Sequence, residues 1–205
     1  MTLSDDRAGT NARGVSWTPQ YDAAGNMLSD GANQYLYDAD GHVCAAYDPY
    51  TGSSTGYLYN ASGKRVAKGT IQLVNGQLSC DLTQNGFTLT NQYILGPNGE
   101  QMTEIAYSGG NPTPVHTNVV AGGAIATYLP NDSASPHFRF ADWLGTTRAQ
   151  TNSSGTPELT CQSLPFGDDP SMPQCTPIPP QSTATPATEQ FFTGQKHMDG
   201  MRSPA

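Results

Sequence analysis

The side chains that could do chemistry are few, and their spacing argues against each chemistry in turn. Asp168 and Asp169 are adjacent carboxylates in a Pro-rich stretch, whereas glycoside hydrolysis needs two carboxyl groups facing each other across a cleft. They read as loop solvation. Asp38-Ala39-Asp40-Gly41 invites a calcium loop. Aligned on that glycine, however, Leu36 falls at the first ligand position and Tyr47 where a bidentate Glu must stand, so the match fails. His42, His116, His137 and His197 show no ligand spacing, and neither a Gly-x-Ser-x-Gly turn nor a Gly-rich phosphate loop occurs. The expectation is a chain that is not an enzyme, with no catalytic, cofactor-binding or metal-ligating residue to name.

Four cysteines, Cys44, Cys80, Cys161 and Cys175, lack Cys-x-x-Cys spacing and nearby paired His, which argues against zinc. Two disulfides are numerically open. Cys161 and Cys175 flank a Pro-rich loop, and joining them would close about 15 residues and stabilise the fold by about 3 kcal/mol in the chain-entropy view. The alternative is two separate buried thiols. Asp142 and Arg148 stand six apart, a spacing that in a strand points both side chains to one face, so an internal ion pair pinning a sheet is expected.

Those residues must be positioned by whatever 205 residues can build. That length means one to two domains, able to bury roughly 70% of the unfolded chain's surface. Charged residues make up 13%, about half the usual roughly 25%, so Ser, Thr, Asn, Gln and Gly must carry the polar surface. The composition is β-rich and turn-rich. A net charge of −8, with no Lys or Arg between Lys68 and Arg139, argues against nucleic-acid and anionic-membrane partners. No apolar run approaches the roughly 20 residues that span a bilayer, and the opening residues show no signal-peptide pattern.

The organising feature is a phrase, Tyr-Asp/Asn-x-x-Gly, followed by a polar and then an apolar residue. Its three clear copies begin at Tyr21-Asp22 with Gly25, at Tyr37-Asp38 with Gly41, and at Tyr59-Asn60 with Gly63. Echoes follow at Gly96-Pro97-Asn98-Gly99 and Asn152-Ser153-Ser154-Gly155. Asp or Asn accepts backbone N–H bonds at the start of a turn, and Gly three residues on supplies the positive φ that closes a hairpin with a bulge. Each copy predicts strand, turn, strand, with the Tyr as packing. Between Thr70 and Tyr128, Ile71-Gln72-Leu73-Val74, Phe87-Thr88-Leu89, Gln92-Tyr93-Ile94-Leu95 and Ala124-Ile125-Ala126-Thr127-Tyr128 predict strands. Turns fall at Asn75-Gly76, Asn85-Gly86 and Asn98-Gly99. The fold class is all-β, built of antiparallel hairpin repeats. The organisation is a partial repeat or frayed start over 1–20, repeats over 21–68, a second β region over 69–167, a Pro-rich loop or linker over 168–190, and an end segment over 191–205.

The three copies resemble the YD repeats of Rhs and teneurin proteins. The run Phe138-Arg139-Phe140-Ala141-Asp142-Trp143-Leu144-Gly145-Thr146-Thr147-Arg148 resembles the Rhs repeat-associated core signature, with Asp142, Leu144, Gly145 and Arg148 at its marked positions. Pro165-Phe166-Gly167 and the later Phe192-Thr193-Gly194 stand where further elements of that core belong. The resemblance covers about Tyr21 to His197. It implies a partial turn of a β-spiral shell, exported or displayed at the cell surface, whose relatives enclose or display a C-terminal toxin or variable domain. The implied partners are the remainder of a longer Rhs-type chain or such a toxin cargo. Met198 to Ala205 does not continue the family's Gly-rich, Asp-containing closing segment, so the end reads as truncated, and no protease aspartates and no toxin are carried over. A cell-surface module binding carbohydrate or protein is the reading from a different class, motivated by the aromatics and amides such a sheet exposes.

Overall fold

The computed structural model describes residues 9–10, 16–121, 124–162, 175–180 and 184–187. Asp168, Asp169, Pro165-Phe166-Gly167 and Phe192-Thr193-Gly194 lie outside the described residues. Every regular element among the described residues is a strand, as expected from a chain that places Gly or Pro too often for a helical face to form. Two short strands, β1 (Gly9–Thr10) and β2 (Ser16–Trp17), pair antiparallel. Fourteen more pair in chain order: β3 (Gln20–Tyr21), β4 (Met27–Ser29), β5 (Gln34–Tyr37), β6 (Val43–Asp48), β7 (Ser53–Tyr59), β8 (Arg65–Thr70), β9 (Thr88–Leu95), β10 (Gln101–Ser108), β11 (Asn111–Val120), β12 (Ala124–Tyr128), β13 (His137–Ala141), β14 (Thr147–Thr151), β15 (Pro157–Cys161) and β16 (Cys175–Pro177). The described chain falls into two compact units, one of residues 9–92 and 107–111, the other of 93–106 and 112–187.

In the first unit the sheet face around Ala45 is apolar and is completed by an excursion. Across β5 to β8 the register aligns Leu36, Ala45, Gly56 and Gly69 in one row. Two glycines side by side leave a dimple, and residues 71–87, which interrupt the hairpin between β8 and β9, fold back to fill it. A Cβ on Gly56 would sit 2.7 Å from Ile71 Cγ2, and one on Gly69 would lie 2.7 Å from Phe87 Cζ and strike the Thr88 carbonyl. The glycines are therefore required by packing. Cys44, Ala45 and Ile71 form the buried cluster, flanked by Leu36, Leu78, Cys80 and Phe87, and a Cys44–Cys80 disulfide clips the strap to the sheet.

The strap corrects two expectations. Ile71-Gln72-Leu73-Val74 adds no strand to the sheet, because Asn75 (φ 52°) and Gly76 (φ 78°) turn the chain back on itself, leaving only an isolated Val74–Gln77 bridge. Ile71 is consequently free to drop into the dimple. Asn75-Gly76 is the expected tight turn, whereas Asn85-Gly86 is no hairpin turn. Asn85, 1% exposed, donates from Nδ2 to the Ser79 carbonyl at 2.8 Å and accepts the Phe87 amide at 3.1 Å, while its carbonyl takes the Gln72 amide at 2.7 Å. It knits the strap together from inside. The Phe87 and Gln92 runs form one strand from Thr88 onward rather than two.

The second unit buries polar side chains beside apolar ones such as Tyr93, Ala126 and Leu159. The row Asn118, Thr127, His137 is buried, as are Gln150 and Leu159, which pair across β14 and β15. The opposite side of the same strands shows Val119, Phe138 and Phe140 at 48%, 39% and 55% exposure. Polarity inside is tolerated because it is satisfied: Thr127 Oγ1 donates to Asn118 Oδ1 at 2.8 Å, and Asn118 Nδ2 donates to the Gln101 carbonyl at 3.1 Å. Within the Pro-rich 168–190 stretch, Cys175–Pro177 forms strand β16 on β15, with Pro177 tolerated at the sheet's edge.

Candidate functional site

The recurring structure is a turn followed by a bulge, and the sequence phrase maps onto it atom by atom. In the first copy the Asp22 amide donates to the Asn26 carbonyl and the Gly25 amide to the Asp22 carbonyl. Asp22 Oδ1 accepts the amides of Ala24 and Asn26 at 2.9 and 2.8 Å. Asp38 repeats this with Asp40 and His42, and Asn60 with Ser62 and Lys64. The Asp142 turn of the core signature is the same object, accepting from Leu144 and Thr146 at 3.0 Å each, and so is the Asn152 turn, accepting from Ser154 and Thr156. Gly25, Gly41, Gly63, Gly145 and Gly155 all sit at φ between 69° and 88°, a region only Gly enters without strain. At Gly96 the Asx is missing, and Glu100 reaches back to the Asn98 amide at 2.9 Å instead.

After each of the five Asx turns the register shifts by one residue. The residue left without a partner stands six positions after the Asx: Leu28, Cys44, Val66, Arg148 and Glu158. A bulge releases its extra residue from strict alternation and re-aims the side chain. Three of the five use that freedom for a specific bond. Cys44 makes the disulfide to Cys80. Arg148 reaches Asp142 Oδ2 through Nε at 2.9 Å and Nη2 at 2.8 Å. Glu158 meets His137 Nδ1 at 2.7 Å. The Asp142–Arg148 pair thus exists, but as a turn residue bonded to a bulge residue, with side chains 21% and 44% exposed, and not as two strand residues facing an interior.

The repeat tyrosines bond as well as pack. Tyr37 Oη donates to the Met27 carbonyl and Tyr59 Oη to the Val43 carbonyl, both at 2.9 Å. Each phenol therefore latches one repeat to the residue that follows the turn of the repeat before it. Burial pushes both phenol pKa values up, keeping them protonated donors. His42 adds a second inter-repeat contact, stacking on Tyr59 at 4.7 Å with its ring against Gly63, where a Cβ would lie 2.7 Å from Nε2.

The carboxylates in these turns ionise below the ordinary range. For Asp22 the Asn26 side chain is the main cause, and for Asp38 the His42 amide. Desolvation opposes ionisation of Asp142, and the Thr146 amide, the Arg148 side chain and the Leu144 amide outweigh it.

Asp38, Asp40 and His42 bring donor atoms within 4.8 Å of one another, the one grouping among the described residues whose atoms could converge on a cation. The Asp38 carboxylate is already engaged: its Oδ1 takes two amides and its Oδ2 faces His42 Nδ1 at 3.4 Å. They line one wall of a groove of about 630 Å³ that Tyr57, Tyr59 and Asn60 also border. Cys161 and Cys175 are joined by a disulfide.

A buried polar cluster was not foreseen from sequence. His137, 5% exposed, lies between Glu158 at 2.7 Å on Nδ1 and Asp132 at 3.0 Å on Nε2. Gln150 Nε2 donates to Glu158 at 3.0 Å. The signal was present in the Asx-plus-six spacing that places Glu158 on a bulge, but nothing in the sequence ties residue 158 to 137.

No protein-family model and no curated protein matches the chain. Among solved structures, matches include crystal structures of TcdB2-TccC3, at 12% identity and a TM-score of 0.24, covering 74% of this chain and 14% of that one. The form without its hypervariable C-terminal region matches with the same figures for identity and TM-score, covering 13% of that chain. The chain thus spans about a seventh of the length of these neighbours.

Proposed function

We propose that the chain is a non-catalytic wall segment of an Rhs-type β-shell, which in a longer chain would enclose or display a C-terminal toxin or variable domain. The observation that carries this is the latch: Tyr37 and Tyr59 each bond the carbonyl that follows the preceding turn. A hairpin array bonded repeat to repeat builds surface by addition, as repeat architectures do. The core signature at Asp142 supports the same reading, because it repeats the turn of Asp22, Asp38 and Asn60. Two disulfides among the described residues favour an oxidising compartment, which suits a secreted or surface-displayed protein.

An antibody raised to this segment tests the proposal in source cells and their medium. A reactive polypeptide in the medium much larger than 21.7 kDa is the expected result. A cell-retained band at 21.7 kDa would overturn it.

The groove at the second and third turns favours a second reading, a glycan-binding surface, since it combines carboxylates, an amide and tyrosines, the groups that commonly fix orientation in a ligand site. Specific binding on a glycan array, competed by free sugar and lost in Asp40→Ala, would favour this reading. Silence across the array would remove it.

A further inference from the structure

The Gln150 side chain engages the backbone of a segment 35 and 37 residues further along the chain. Its Oε1 accepts the Ala187 amide at 3.0 Å, and its Nε2 lies 3.5 Å from the Thr185 carbonyl. Accepting from one residue and donating to the carbonyl two residues earlier is the bonding a neighbouring strand would offer to an extended chain. The side chain substitutes for a strand, and Ala187 is held at 6% exposure.

An amide presents its two ends correctly only if something fixes its rotation. Glu158 Oε2 does so, accepting Gln150 Nε2 at 3.0 Å, and the same oxygen is 2.7 Å from His137 Nδ1, whose Nε2 is 3.0 Å from Asp132. A neutral imidazole has one N–H and one lone pair, so it can donate to only one of two ionised carboxylates. Both contacts are made as hydrogen bonds only by the imidazolium. The charged and titratable groups facing His137 are Glu158 from β15 and Asp132 from the preceding turn. Arg139 stands two residues along on its own strand, and His116 and Glu104 lie further along the buried side. Imidazole ordinarily changes charge between about pH 5 and 8.

We propose that Gln150, Glu158, His137 and Asp132 form a clasp for the backbone of an extended peptide, filled in this chain by residues 184–187, and that the clasp is tightest while His137 is doubly protonated. Once His137 is neutral its single N–H serves either Asp132 or Glu158, and whenever it serves Asp132 the Glu158 carboxylate faces a lone pair and turns away, Gln150 loses its orientation, and the contact with residues 184–187 is released. Asp132 ionises below the ordinary range, chiefly through the Ala134 amide and then through His137, so its contribution persists at mildly acidic pH.

The test is the protection factor of the Ala187 amide, measured by hydrogen exchange on the full chain with the Ala45 amide as an internal reference for global folding. In the parent protein, protection at Ala187 is expected to fall about tenfold or more between pH 5.5 and 8, while that at Ala45 is constant. Gln150→Leu abolishes it at both pH values, and His137→Phe abolishes the pH dependence. Ala187 protection that is flat with pH in the parent overturns the proton gate. Protection unaffected by Gln150→Leu overturns the clasp.

Discussion

The two compact units use one backbone module to opposite ends. In the first, the bulge positions hold Leu28, Cys44 and Val66, and the interior is an apolar dimple plugged by Ile71 and Phe87 and clipped by Cys44–Cys80. In the second, the bulge positions hold Arg148 and Glu158, and buried polar side chains form two hydrogen-bonded groups, Thr127 with Asn118 and His137 with Glu158 and Gln150. The turn fixes where the free residue points, and the residue type at that point decides whether the interior is sealed by burial or by hydrogen bonding. A buried polar network is costly unless every member is satisfied. The second unit should therefore fail abruptly when one member is lost, whereas the first should fail in proportion to the volume or closure removed.

The largest effect should come from the clip. Cys44→Ser together with Cys80→Ser opens a loop with a separation of 36 residues, worth about 4 kcal/mol in the chain-entropy view. Urea unfolding with and without reductant measures it. Next, Gly69→Val forces a side chain against Phe87 and the Thr88 carbonyl, with an expected cost of about 3 kcal/mol. A melt showing no change would mean the strap adapts, and the contrast between rigid and networked interiors would be lost. In the second unit, His137→Leu leaves Glu158 and Asp132 without their partner and should cost about 2 kcal/mol, with exchange rising at Gln150 and Ala187 before it rises in β6.

The smallest effect concerns the turns themselves. The lowered pKa values of Asp22, Asp38 and Asp142 mean that each contributes stability above its unfolded pKa and loses it as pH falls through the folded value. The Asn60 and Asn152 turns make the same bonds with a side chain that does not titrate. Acidification should loosen the Asp turns alone, and Asp38→Asn should remove the effect at its own turn. Amide exchange at His42 and Lys64, followed down to about pH 3, gives the comparison directly. Arg148→Ala should act at this level too, through an exposed pair that salt screens.

The hairpins were legible because Asx and Gly at fixed offsets are local chemistry: the turn at Asp22 needs nothing beyond Gly25 and two amides. What was hidden is nonlocal. Asn85-Gly86 has the letters of a hairpin turn, yet Asn85 bonds inward to Ser79 and Phe87 because the strap must close over two glycines far away in sequence. Asp142 and Arg148 were correctly paired by spacing but misplaced in depth, since a bulge, not strand alternation, sets their geometry. By spacing His137 is one of four scattered histidines, because its partners, Asp132 and Glu158, belong to a turn and another strand.

The central claim is that the repeats are joined through their tyrosines, and it is tested most directly by hydrogen exchange on Tyr37→Phe, Tyr59→Phe and the double variant. Each phenol should contribute about 1 kcal/mol. Removing Tyr59 should raise exchange in β6, the strand that supplies its acceptor, as well as in β7. Exchange confined to the mutated strand, or a double variant that unfolds like the parent, would mean the tyrosines only pack and the repeats are not latched.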